Sequence, residues 1–136
     1  QALVLTINPD GAGYFVVPVT DDWTVTKDYW NEQTSLNLSQ SVRNDDGTYT
    51  IVVSPTDPHV ANWVSTGGLN QGTISIRFQG LTEDTAPTVG YRVVTLDKLA
   101  DALPQDTTYV TAADRAVQIA TRKSGFNKRF APYPQP

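Results

Sequence analysis

The chain contains no cysteine, no methionine and one histidine. Without cysteine there is no disulfide, no thiolate metal site and no thiol nucleophile. With a single histidine, every catalytic triad and every imidazole metal site has to pass through His59. No stretch approaches the ~18 apolar residues of a membrane-spanning helix, so no membrane span is expected. Nor does a basic-then-apolar leader precede a small-residue cleavage site. A Walker loop, a dinucleotide fingerprint, a nucleophile elbow and a Cys/His cluster are all missing, so neither a cofactor nor a metal is expected. None of this fixes a compartment. Gln1 stands where an initiator Met would be and strand-like sequence begins at Ala2, which reads as a processed product or a part of a longer chain.

Acid is missing from the C-terminal segment. All 14 acidic residues lie between residues 1 and 114, whereas Arg115, Arg122, Lys123, Lys128 and Arg129 follow without one, so the tail is +5 and the remainder −9. A basic tail can meet phosphate. This one lacks the aromatic interleaving of a single-strand binder, and a helix C-terminus favours cations on its own account. Nucleic acid is therefore not an expected partner.

What the sequence does have is turns and β-branched runs. Its 136 residues are 39% hydrophobic and 18% charged, with nine Gly and nine Pro, which is too apolar for a disordered tail and too turn-rich for a helical bundle. Residues 2–7 and 14–19 flank Asn8-Pro9-Asp10-Gly11 and read as a hairpin, with Pro18 marking an edge strand or a strand end. Trp23–Thr26 and the Leu36/Leu38 alternation read as half-buried strands. Asp46-Gly47 predicts a hairpin pairing Ser35–Val42 with Thr48–Ser54, because Gly supplies the positive φ of a tight turn. Residues 55–68 read as an irregular connection, 73–79 as an alternating strand and 91–96 as another.

From residue 97 the period changes. A short helical turn ends at Pro104, and Thr111 opens a longer helix with Asp114 three positions on, a capping-box pattern. Ala113, Ala116, Val117 and Ala120 form a narrow stripe expected to face a sheet, with Gly125 ending the helix. The sum is one mainly β domain over 1–136, with strands over about 2–96 and a helical closing segment over about 97–130: a jelly-roll-like, two-sheet antiparallel sandwich with a short C-terminal helix.

The order Ser35-Leu36-Asn37, Gln40, Asp46-Gly47, Asp57-Pro58, Asn62-Trp63, Thr66, Gly68, Gly72, Arg77 resembles the bacterial family called domain of unknown function 1214. Leu103-Pro104, Asp114-Arg115 and the basic run 122–129 continue the likeness to that family's closing helix. The resemblance implies a jelly-roll-like C-terminal domain, often placed behind a companion β domain of unknown function 1254. This chain has Asp57-Pro58-His59 where the family commonly has Asp-Pro-Gly, and Val64-Ser65 where a Leu-Asp pair often follows Asn-Trp. The family name carries no activity with it.

Each chemically interesting residue has a structural reading beside the functional one. Asp57 could orient His59 as a general base, yet a lone loop histidine beside a proline is usually solvated. Trp63 could stack on a sugar or an apolar ligand with Asn62 hydrogen-bonding it, or it could plug the core. Asp21, Asp22 and Asp28 lie among Trp23, Tyr29 and Trp30; paired carboxylates can serve glycoside chemistry or Ca²⁺, but adjacent loop acids are mostly just solvated, and the aromatics suit an interface better. Arg77 and Arg92 could converge on an anion or pair with acids. The reading that follows is a non-catalytic module serving inter-domain packing, oligomer assembly or binding of an uncharged ligand, with Asn62, Trp63, Arg77, Trp23 and Trp30 as ligand-binding candidates. The competing reading is a hydrolase or lyase using His59 with Asp57. Expected partners are a companion N-terminal β domain of the same protein or further copies of the chain.

Overall fold

The computed structural model describes residues 1–131, and the proline-rich end, 132–136, lies outside the described residues. Among the described residues eight strands form two sheets. One sheet contains β1 (Ala2–Asn8), β4 (Tyr49–Ser54), β5 (Trp63–Ser65) and β8 (Thr88–Val94), in the order β5-β4-β1-β8. The other is centred on β2 (Tyr14–Thr20), flanked on one side by β3 (Ser35–Asn37) and on the other by β6 (Thr73–Ile74) and β7 (Arg77–Gln79). A helix, α1 (Ala112–Phe130), closes the chain. This is the expected two-sheet sandwich, with one departure: β4 and β5 run parallel.

Between the sheets, Leu5, Ile7, Ile51 and Val53 meet Phe15, Val17, Val19 and Leu36 in one apolar cluster. A second cluster lies on the opposite face of the first sheet. There Ala2, Val4, Val52 and Trp63 are covered by Val60, Leu99 and Leu103, the last two from the segment that carries short 3₁₀ turns at Leu96–Lys98 and Ala100–Ala102. Sheet residues with both faces covered read as continuous apolar runs, and β4 is buried at all six positions.

Several local expectations are corrected by long-range pairing. Strands β1 and β2 are not a hairpin: β1 is buried on both faces at Val4 and Leu5 and takes β4 and β8 as neighbours, and the turn after Asn8 carries the chain across to the other sheet. Pro18 sits in a central strand, not at an edge. Val19 N–H bonds Thr34 C=O on the β3 side, so the alternation turns the Pro18 nitrogen toward the other neighbour. There the strand expected over 73–79 breaks at Ser75–Ile76, opposite Val17–Pro18, while its register continues on either side. The missing donor thus splits one strand into β6 and β7.

The Asp46-Gly47 turn forms, with Gly47 at φ 89° and Gly47 N–H bonded to Asn44 C=O, but Ser35–Val42 does not pair with Thr48–Ser54. Asn37 ends β3 by capping a 3₁₀ turn at Leu38–Gln40, and Asn62 takes both the N–H and the C=O of Val42. Strand β4 already has β1 and β5 on its two edges. Trp23–Thr26 is a turn rather than a strand, and its one ladder contact is an isolated Thr20–Thr26 bridge.

The helix starts where the capping box predicts: Thr111 Oγ1 accepts from Asp114 N–H, and Asp114 accepts from Thr111 N–H. It does not stop at Gly125 but continues to Phe130. Its buried face is also different. Val117 is 66% exposed, whereas Arg115 is only 7% exposed and Gln118 and Ile119 are half-buried.

Candidate functional site

The reversal of the helix face has a clear cause in Asp57. Arg115 Nε lies 2.8 Å from Asp57 Oδ2 and Nη2 3.2 Å from Oδ1, a forked ion pair. The same guanidinium donates to the carbonyls of Val60 and Ala61 and to Gln118 Oε1, and stands 5.1 Å over the Trp63 ring. Five partners explain why a charged side chain lies deeper than the alanines beside it. They tie the first turns of α1 to the 57–61 loop and, through Trp63, to β5.

Asp57 is therefore committed to Arg115, and its contact with His59 is through the backbone: His59 N–H donates to Asp57 Oδ1 at 2.8 Å. The imidazole is exposed, and the residue adopts φ 60°, in the left-handed region. Geometry joins His59 to Asp57 as a turn, not as a base with its orienting acid. Asn62 and Trp63 are both buried. Asn62 fixes Val42 and Thr50, and Trp63 Nε1 donates to Ser54 C=O at 3.2 Å and Ser54 Oγ at 3.0 Å. Neither offers a free face to a ligand.

Arg77, on the second sheet, is exposed, and Arg92, on the first, donates to Ala102 C=O, so the two do not converge. The acidic-aromatic segment also separates. Asp21 Oδ1 accepts from Trp23 and Val25 N–H, and Asp28 holds Asn31. Trp23 is 84% exposed. Trp30, by contrast, stacks on Phe126 of α1 at 4.7 Å, with Tyr29 edge-on to both rings. Among the described residues no group of three or more His, Cys, Asp or Glu side chains could hold a metal ion. No helix among them is long and apolar enough to cross a membrane.

That aromatic contact borders a cleft of about 460 Å³ between the C-terminal half of α1 and the second sheet. Leu36, Val117 and Phe126 give it apolar walls, and Gln118, Arg122 and Arg129 give it polar ones. Positions 118, 122, 125, 126 and 129 share one side of the helix. Sequence reasoning missed this cleft, although the acid-free run after Asp114 was its signal.

Elsewhere the molecule leaves an apolar strip open. Leu3, Leu5 and Ile7 of β1 point into the inter-sheet core, and directly opposite them on β8 stand Val93, Tyr91 and Val89. Paired residues share a sheet face. Yet Ile7 is 0% exposed and Val89 38%, Leu5 4% and Tyr91 78%. The second sheet stops short of β8, and β8 has a strand neighbour on one side only among the described residues.

The fold and these surfaces define a two-sheet sandwich with no assembled catalytic constellation among the described residues. No family model matches the chain, and no curated protein does. Among solved structures it is similar to an uncharacterized protein from Burkholderia cenocepacia, with 31% identity and a TM-score of 0.60. The match covers 71% of this chain and 26% of that one, so the chain spans about a quarter of the protein it matches.

Proposed function

We propose that this chain is a non-catalytic assembly module of a larger bacterial protein, whose β8 packs against a companion β domain of the same polypeptide. One observation carries the reading: the core-facing side of β8 continues the row of Leu3, Leu5 and Ile7 but is uncovered at Val89, Tyr91 and Val93. Contiguous apolar surface of this kind marks interaction sites, and an unpaired edge strand is a template for further pairing. The one charge on β8, Arg92, pairs with Val4 on the opposite face, where its guanidinium donates to Ala102 C=O. The length of the Burkholderia protein supports a companion in the same chain. A place in the domain of unknown function 1214 family, with its jelly-roll topology, belongs to this proposal. It is supported by His59, which takes a left-handed φ at the position where that family commonly has glycine.

The test is substitution of the strip. Tyr91→Asp with Val93→Asp should leave the isolated chain folded, since exposed side chains typically contribute within about 0.5 kcal/mol. The same pair should abolish its association in trans with the remainder of the full-length protein. Undiminished association would remove β8 as the docking surface.

A further inference from the structure

Among the described residues Arg122 has three hydrogen-bond acceptors and no counter-charge. Its Nη1 donates to Tyr29 C=O at 3.1 Å and Ser35 Oγ at 3.2 Å, and its Nη2 donates to Ser35 C=O. All three partners are neutral. The ion pair among the described residues is Arg115–Asp57, and Arg122 has none, with its Nε unengaged there. Burial pulls its pKa below the usual guanidinium range, yet an arginine stays protonated at neutral pH. A partly desolvated cation held by neutral dipoles attracts an anion more strongly than an exposed one. Arg129, two turns along the same side of α1, lines the same cleft with its guanidinium 5.5 Å over Phe130.

The rest of the lining is uncharged: apolar Leu36, Val117 and the aromatic rings of Tyr29 and Phe126, with Gln33, Gln40, Gln118 and Thr121 as neutral polar groups. Its volume, about 460 Å³, falls within the roughly 300–1,000 Å³ of small-molecule sites. We propose that this cleft binds an amphiphilic organic anion, a carboxylate on an aromatic or aliphatic body, with the carboxylate at Arg122 and Arg129 and the body against Leu36 and Phe126. An anion differs from the uncharged ligand expected from the sequence; the two arginines on one wall of the cleft are what point to it. The site lies on the second sheet and does not depend on β8 docking.

Gly125 makes the proposal testable without disturbing Arg122. It lines the cleft, and a Cβ there would meet nothing within 4 Å. Gly125→Leu fills the space and raises helix propensity, so the variant should melt no lower than the parent. The probes are 2-naphthoate and its neutral analogue 2-naphthylmethanol, titrated calorimetrically into the full chain. One-site binding of naphthoate is expected, about tenfold or more tighter than the alcohol, as one charge-assisted contact provides. It should weaken as NaCl rises from about 0.05 to 0.5 M. Gly125→Leu should abolish it, and Arg122→Gln should bring naphthoate down to the affinity of the alcohol. Tyr91→Asp should leave it unchanged, which separates this site from β8. No saturable naphthoate binding, equal affinity for the two probes, or undiminished binding by a folded Gly125→Leu variant would each overturn the proposal.

Discussion

Arg115 is the side chain on which the helix depends. Removing it leaves Asp57 without its cation and the Val60 and Ala61 carbonyls without a donor. Breaking one side of a largely buried pair typically costs about 3–5 kcal/mol, so Arg115→Ala should lower the urea midpoint by a corresponding amount. Arg115→Lys should recover only part of this, because an ammonium cannot reproduce the fork. A loss below about 0.5 kcal/mol would place the pair among ordinary surface bridges. Trp63→Ala should cost a similar ~3–5 kcal/mol, the usual range for deleting a buried Trp. His59→Ala should change stability by no more than about 0.5 kcal/mol. His59→Gly should stabilise by up to about 1 kcal/mol, since glycine relieves the left-handed φ. Denaturation curves for the five variants at these three positions read all of this. Trp63 as a core plug was readable from its type alone, but Arg115 was not: its partner lies 58 residues away.

At the scale of elements, the start of α1 gives a pH test. The Thr111 hydroxyl and backbone N–H hold the Asp114 carboxyl below its ordinary value of 3.8. A folded value below the unfolded one means stabilisation fully present above about pH 3.8 and lost as the pH falls through the folded value. Helical ellipticity at 222 nm should therefore fall in that acid range, and Asp114→Asn should remove this component. An Asp114→Asn variant with an unchanged acid titration would contradict the role of the cap. Asp46, lowered by Thr48, titrates in the same direction, so only the difference between variant and parent is diagnostic. The helix start was legible because capping is written within four residues. The strand partners were not, because both expected hairpins rested on turn chemistry and local strand patterning, which do not say which edge a strand meets. Asn37, Asn62 and the place of β1 between β4 and β8 decide which edge each strand meets. Strand β5 was hidden for another reason: three residues in a parallel pair give no alternation to read.

For the whole molecule, the sandwich follows from strand count and turn spacing, whereas its incompleteness does not. Tyr91 and Val93 fall in the strand expected over 91–96, which the structure shifts to Thr88–Val94 and so brings in Val89; only the register with Ile7, Leu5 and Leu3 shows that the three face a core that ends before reaching them. Likewise the acid-free C-terminal segment was visible as a charge asymmetry, but the cleft needs α1 laid against β3 and the 29–36 segment. Hydrogen exchange over residues 88–94 addresses the docking surface most directly, comparing the isolated chain with the same chain inside the full-length protein. If β8 docks on a companion domain, its amides on the open edge exchange rapidly in isolation and become protected in the longer protein, while β4 is protected in both. Equal exchange over 88–94 in the two contexts would contradict the assignment of this chain as an assembly module built around β8.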